Sequence, residues 1–298
     1  MVQLSFDEGT GLSGSLVAIV TPFDSKGAVD RAAFEVLIER QIQHGTDGIV
    51  VCGTTGEAAT LSDSEYRAVV RQCVENVAGR VPVIAGSGSN NTGHVVETSL
   101  VAEELGVDAL LVVSPYYNKP TQEGLRRHYE TVMDAVHIPV VLYNVPGRTA
   151  SNISAATTLA LSQHPNCLAV KEASGNLSQI QEIIFNAPEG FSVLSGDDAL
   201  AFPMMALGAS GVVGVASNVV PGEMKRLVEA LAAENMAEAR VLQAQLLPLM
   251  EAIFWESNPI PIKAALAHLG LIDEVLRLPL VPANPKTRAR LVEIMDGP

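Results

Sequence analysis

Eight short, uninterrupted apolar runs recur along this chain at fairly even intervals, at 16–20, 48–51, 81–85, 109–113, 140–143, 168–170, 191–194 and 212–215. A run without polar alternation describes a strand buried on both faces, which a parallel sheet covered by helices requires. The intervening segments have helical period: Phe34, Leu37, Ile38 and Ile42 form one stripe, with Asp30 placed as its N-cap. Strand and helix alternate throughout, and eight such units point to an α/β protein built as a (β/α)8 TIM barrel. Periodicity does not show closure, so a doubly wound open sheet remains the alternative at this level.

After Val215 the apolar runs stop, and helical segments are expected at 223–234, 236–255, 260–269 and 286–295, punctuated by Pro248, Pro259, Pro261, Pro279, Pro282 and Pro285. The first closes the barrel and the other three form an all-helical C-terminal appendage. The expected division is a barrel over 1–234 and a helical unit over 235–298.

The apolar fraction of 48% suffices for a large core, and no stretch reaches the ~18 apolar residues of a membrane span. Segment 1–10 carries Asp7 and Glu8 and lacks the basic-then-apolar pattern of a secretory signal, so a cytoplasmic protein is expected. The net charge is −14 with basic residues scattered, which argues against nucleic acid and membrane partners. Cys52, Cys73 and Cys167 are odd in number, and two sit in apolar runs, so buried thiols are expected rather than disulfides. Neither these cysteines nor His94, His128 and His137 have metal-ligand spacing, and the histidines are read as surface or packing residues; no metal site is expected.

In such barrels chemistry sits at the C-terminal ends of the strands. Here those ends are polar: Thr21-Pro22, Gly53-Thr54-Thr55-Gly56-Glu57, Gly86-Ser87-Gly88, Ser114-Pro115-Tyr116-Tyr117-Asn118, Tyr143-Asn144, Lys171-Glu172, Ser195-Gly196-Asp197 and Gly214-Val215. Lys171 ends the sixth run, where desolvation disfavours its charged form and makes it a nucleophile for Schiff-base chemistry. The structural alternative is a lysine paired with Glu172. Tyr143 ends the fifth run and offers a phenol able to donate and accept a proton, unless it is simply a core tyrosine. Arg148, in the following Pro-Gly loop, offers a fork for a carboxylate.

The hydroxyls and backbone N–H groups of Thr54 and Thr55 suit a small carboxylate. Their loop lacks the Gly-Lys-Ser/Thr ending of a P-loop, and Gly86-Ser87-Gly88 lacks the third glycine of a dinucleotide fingerprint. No Ser-His-Asp set can be assembled from the strand ends. Tyr116-Tyr117 is read as part of a site or a subunit contact.

Gly53-Thr54-Thr55-Gly56-Glu57, Ser114-Pro115-Tyr116-Tyr117-Asn118-Lys119-Pro120, Tyr143-Asn144-Val145-Pro146-Gly147-Arg148-Thr149, Val170-Lys171-Glu172-Ala173 and Asn258-Pro259-Ile260-Pro261-Ile262-Lys263 together resemble the dihydrodipicolinate synthase family, in the right order over essentially the whole chain. The resemblance implies a closed barrel with a C-terminal helical domain and a class I aldolase-like lyase without an organic cofactor. Lys171 would condense with pyruvate, and the resulting enamine would attack aspartate 4-semialdehyde on the route to diaminopimelate and lysine. Tyr143 would move protons, relayed through Thr54 and through Tyr117 of a neighbouring subunit. Thr55, Gly196 and the main chain at Val213 would bind pyruvate, and Arg148 would anchor the semialdehyde carboxylate. A homotetramer built as a dimer of dimers is implied as well.

Two departures stand out. The family's common Gly-Ile-Lys is Ala169-Val170-Lys171 here, a small-for-small change expected to leave catalysis intact. Lysine-inhibited enterobacterial members carry two His and a Glu at the positions of Asp63, Tyr66 and His94, whereas Asn90 and Tyr116 keep the pattern. A degenerate allosteric site, with weak or absent inhibition by lysine, is expected. The nearest rival is another Schiff-base aldolase, such as N-acetylneuraminate lyase or a 2-keto-3-deoxy-sugar acid aldolase. Those would share Lys171 and Tyr143 but lack the Gly147-Arg148 pair. A catalytically inactive barrel serving as a binding or regulatory protein is the reading of a different class, and retention of Lys171, Tyr143, Thr54, Thr55 and Arg148 argues against it.

Overall fold

Every apolar run forms a strand, and the strands close. The computed structural model describes residues 11–297, so the segment 1–10 read above lies outside the described residues. The strands are β1 (Gly14–Ala18), β2 (Gly48–Val51), β3 (Val83–Gly86), β4 (Ala109–Val113), β5 (Val140–Asn144), β6 (Cys167–Glu172), β7 (Ser192–Ser195) and β8 (Gly211–Gly214). They pair in sequence order, all parallel, and β8 returns to β1 through Gly14↔Gly211, Ser15↔Val212, Leu16↔Val213 and Val17↔Gly214. Closure excludes the open sheet.

The strands differ from the apolar runs at their ends, because a ladder is set by backbone partners rather than by side-chain character. β1 begins at Gly14, where a Cβ on its partner Gly211 would lie 2.1 Å from the Gly14 carbonyl oxygen, so only glycine permits that approach. Ile19 and Val20, counted in the first run, are buried beyond the strand's end.

A period of two is hidden inside runs that read as uniformly apolar. Leu16, Ala18, Val50, Ile84, Leu111, Val141, Tyr143, Ala169, Leu194 and Val213 fill the barrel interior. Their neighbours Val17, Ile49, Val51, Leu110, Val112, Leu142, Val170 and Val193 pack outward against the helices. Continuous apolarity thus reflects two different cores, one on each face of the sheet.

Asp30 caps the helix Arg31–Gln43, its carboxylate accepting the Ala33 N–H at 3.0 Å, and Phe34, Leu37 and Ile38 are buried. Ile42 is only partly buried; Gln41 joins the inner stripe instead and donates to the Ser217 carbonyl at 2.7 Å. Downstream of the barrel the helices are Pro221–Ala232, Met236–Ala252, Ile260–His268 and Pro285–Asp296. Pro248 lies inside the second of these and does not end it. The turn at 233–235, with Glu234 at φ 55°, separates the first two.

Cys52, Cys73 and Cys167 are free and buried, and burial pushes their thiols up. His128 is buried against Thr92, Nδ1 lying 2.9 Å from Oγ1, and burial lowers it to about 4. Among the described residues no helix is long and apolar enough to cross a membrane.

Candidate active site

Strand register decides which groups meet. Tyr143 pairs with Lys171, and Asn144 with Glu172, in the β5–β6 ladder. Lys171 shares the inward parity of Ala169, so its chain enters the barrel interior, and its Nζ lies 4.5 Å from the centroid of the Tyr143 ring. Glu172 has the outward parity and is fully buried there. It accepts from Asn144 Nδ2 at 3.2 and 3.0 Å, from the Ser174 N–H at 2.7 Å and from Gln179 Nε2 at 3.3 Å. The Lys171–Glu172 pair weighed above does not form, because adjacent strand residues face opposite sides of the sheet.

Burial lowers Lys171 to about 8, with the Arg148 charge acting in the same direction and the carboxylate of Asp198 opposing both. A sizeable neutral fraction near neutral pH follows, as a lysine nucleophile requires. Burial raises the Tyr143 phenol, against Arg148 and Thr54, which favour the phenolate. Gly196, at the end of β7, gives the lysine room: a Cβ there would lie 3.1 Å from both Cε and Cγ of Lys171 and 2.8 Å from Cβ of Ala173.

The loop after β2 presents Thr54 and Thr55. Its turn is held by Gly56 N–H to the Gly53 carbonyl and Glu57 N–H to the Thr54 carbonyl, both at 3.1 Å, with Cys52 and Glu57 in left-handed backbone conformation at φ 53° and 51°. A cavity of about 700 Å³ opens over this loop, and its wall includes Thr54, Tyr143, Arg148 and Asn258. Lys171, Thr55, Gly196 and Val213 are not in its wall; Lys171 Nζ lies over the ring of Tyr143, which is in the wall, and Val213 belongs to the interior layer.

Tyr117 stands 87% exposed at φ 73°, outside the cavity, while Tyr116 reaches the wall. Asp63, Tyr66 and His94 line the same cavity. There Tyr66 is buried with an unpartnered hydroxyl, and His94 faces Glu97 at 4.0 Å. Asn90 is not in that wall; its carbonyl accepts from Asn118 Nδ2 at 2.9 Å. Among the described residues no three His, Cys, Asp or Glu side chains are grouped as a metal site would need.

Several residues of the site were not singled out by strand-end reasoning. Asp198, fully buried, accepts from the Val215 and Ala216 N–H groups at 3.0 to 3.1 Å and faces Lys171 electrostatically. Burial lifts it to about 6, the two N–H groups and Lys171 working against that rise. Asn258 donates through Nδ2 to Thr55 Oγ1 at 2.9 Å. Lys263, buried in a helix of apolar composition, pairs with buried Glu57 and lies 4.1 Å from the Phe23 ring centroid. The Arg277 guanidinium also lies over the Phe23 ring, 4.3 Å from its centroid. A charged residue in an otherwise apolar helix, and the second of two consecutive aspartates after a strand, were the available signals.

A nucleophilic lysine beside a phenol at the end of a barrel, with a hydroxyl-bearing loop and a guanidinium at hand, can form and discharge an imine with a small 2-oxo acid. The dihydrodipicolinate synthetase family model matches residues 11–297. A 4-hydroxy-tetrahydrodipicolinate synthase from Koribacter versatilis is 53% identical over 284 residues, 95% of this chain and 95% of that protein. One from Syntrophotalea carbinolica is 49% identical over 285 residues, 96% and 97% of the two chains. Among solved structures, dihydrodipicolinate synthase from Aquifex aeolicus superposes with a TM-score of 0.94 at 45% identity, over 96% of this chain and 97% of that one. A monomeric dihydrodipicolinate synthase variant gives 0.95 at 40% identity, over 97% and 98%.

Proposed function

Because the chain belongs to the dihydrodipicolinate synthetase family, we propose that its Lys171, Tyr143 and Arg148 carry the 4-hydroxy-tetrahydrodipicolinate synthase reaction of lysine and diaminopimelate biosynthesis. The observation that supports this most is the Tyr143↔Lys171 register pair, a lysine lowered to about 8 facing a buried phenol.

The neutral Lys171 amine attacks the keto carbon of pyruvate. The carbinolamine loses water, its hydroxyl taking a proton from Tyr143, and the imine then gives up a methyl proton to the Tyr143 phenolate to become an enamine. The enamine carbon forms the new bond to the aldehyde carbon of aspartate 4-semialdehyde, and the aldehyde oxygen takes up a proton. The amino group of the semialdehyde portion finally attacks the imine carbon and expels Lys171, closing the ring. Thr54 relays protons to Tyr143, Tyr117 completes the relay from a neighbouring subunit, and Arg148 holds the semialdehyde carboxylate. Thr55, Gly196 and the main chain at Val213 hold pyruvate.

By convention the enzyme is classed as a carbon–oxygen lyase. It acts in the cytoplasm as a homotetramer built as a dimer of dimers. Residues 1–234 form the catalytic barrel and 235–298 the helical unit. Asp63, Tyr66, Asn90, His94 and Tyr116 form a degenerate effector site.

The reading is tested against its sugar-acid rivals by offering the purified protein pyruvate with aspartate 4-semialdehyde or with N-acetylmannosamine. Pyruvate consumption with the semialdehyde alone is expected; consumption with the sugar alone would assign the chain to the rival activity.

A further inference from the structure

Thr55 and Arg148 come from the loops after β2 and β5, strands that are not neighbours, so no ladder sets their separation. One residue outside the barrel touches both. Asn258, buried in the connection between helices Met236–Ala252 and Ile260–His268, donates its side-chain Nδ2 to Thr55 Oγ1 at 2.9 Å. Its backbone carbonyl accepts from Arg148 at 3.4 Å. Directly beyond it, Lys263 pairs with Glu57, and the Arg277 N–H donates to Glu57 Oε2 at 3.1 Å. The segment 258–277 therefore grips the loop 53–57 at three points.

The polarity of the Asn258–Thr55 contact has a chemical consequence. A hydroxyl has one proton and two lone pairs. When Thr55 Oγ accepts from an amide N–H, its own proton is left to donate to another acceptor, and a carboxylate is acceptor-only. The Asn258 carbonyl, by engaging one Arg148 N–H, orients the guanidinium while leaving other N–H groups for a second carboxylate.

We propose that Asn258 is a positioning residue that sets Thr55 as a hydroxyl donor to the carboxylate of the 2-oxo acid and aims Arg148 at the carboxylate of the aldehyde substrate. This rests on the reading above that Thr55 and Arg148 recognise those two groups. The two contacts are separable, because substitution of Asn258 removes the side-chain amide and leaves the backbone carbonyl. The side chain thus bears on pyruvate alone.

Steady-state kinetics of Asn258→Ala and Asn258→Asp test this. Asn258→Ala is expected to raise the KM for pyruvate about tenfold, the scale of one hydrogen bond to a charged ligand, with kcat and the KM for the semialdehyde within threefold of wild type. Asn258→Asp preserves volume but accepts the Thr55 proton and faces the incoming carboxylate, so its KM for pyruvate rises further. In a Thr55→Val background the effect of Asn258→Ala on that KM disappears. Equal increases in both KM values, an unchanged KM for pyruvate, or an effect that persists without the Thr55 hydroxyl would overturn the proposal. Should Asn258→Ala not fold, Asn258→Asp carries the same comparison. A wild-type protein that yields no pyruvate adduct on borohydride reduction would overturn the underlying reading. An adduct with unaltered KM in the variants would overturn this inference alone.

Discussion

The acid limb of imine formation should report the ionisation of Lys171 and move in opposite directions when its two charged neighbours are removed. Burial lowers this lysine from 10.5 to about 8, a differential of about 3 kcal/mol at 1.36 kcal/mol per unit. At pH 7 roughly one molecule in ten then carries the free amine, against roughly one in three thousand for an unperturbed lysine. The rate of pyruvate capture at limiting pyruvate, read by reductive trapping between pH 6 and 10, should rise about tenfold per pH unit and level off above about pH 8. Asp198 stabilises the ammonium, so Asp198→Asn should shift the limb to lower pH; its Oδ1 can still accept from the Val215 and Ala216 N–H groups, each at 3.1 Å. Arg148 destabilises the ammonium, so Arg148→Met should shift the limb to higher pH, and by less. Asp198 itself titrates at about 6, so the difference between Asp198→Asn and wild type should close as the pH falls below that value. A limb that stays near 10, or two substitutions that move it the same way, would refute this electrostatic account.

Lys263→Met leaves the carboxylate of Glu57 buried without its partner and should cost about 3–5 kcal/mol of stability in urea unfolding, whereas Glu57→Gln with Lys263→Met should recover most of the loss. Equal losses in the single and double variants would count against a buried ion pair. If, as proposed, the effector site of Asp63, Tyr66, Asn90, His94 and Tyr116 is degenerate, lysine should not half-inhibit the enzyme at submillimolar concentration; a conventional inhibition curve checks this. If Tyr117 completes a neighbour's site, mixing inactive Lys171→Ala and Tyr117→Phe proteins under conditions of subunit exchange should regenerate activity, and mixtures as inactive as their parents would contradict that role.

The barrel and its chemical end were legible because apolar runs and the polar residues that stop them are local. Lys171, Tyr143 and Arg148 stand out at the strand ends only as a set, since each taken singly leaves a structural alternative open. Facing was not legible: with both sheet surfaces buried, the runs carry no visible alternation, so whether Lys171 turned inward or paired with Glu172 was left open until the β5–β6 register placed them on opposite faces. Nor was support from outside the barrel legible. Asn258 meets Thr55 across 203 residues, and Lys263 and Arg277 reach Glu57 from the helical segment. Nothing periodic in the sequence marks those contacts. Asp198 is not legible for a related reason, since its carboxylate is held by the N–H groups of Val215 and Ala216 at the end of a different strand.

The central claim is that Lys171 is the nucleophile. Incubation with pyruvate, borohydride reduction and mass analysis of the digest test it directly. The account predicts the added mass of one reduced pyruvate on the peptide bearing Lys171, and none in Lys171→Ala. An adduct on another lysine, such as Lys263, or none at all under saturating pyruvate, would contradict it.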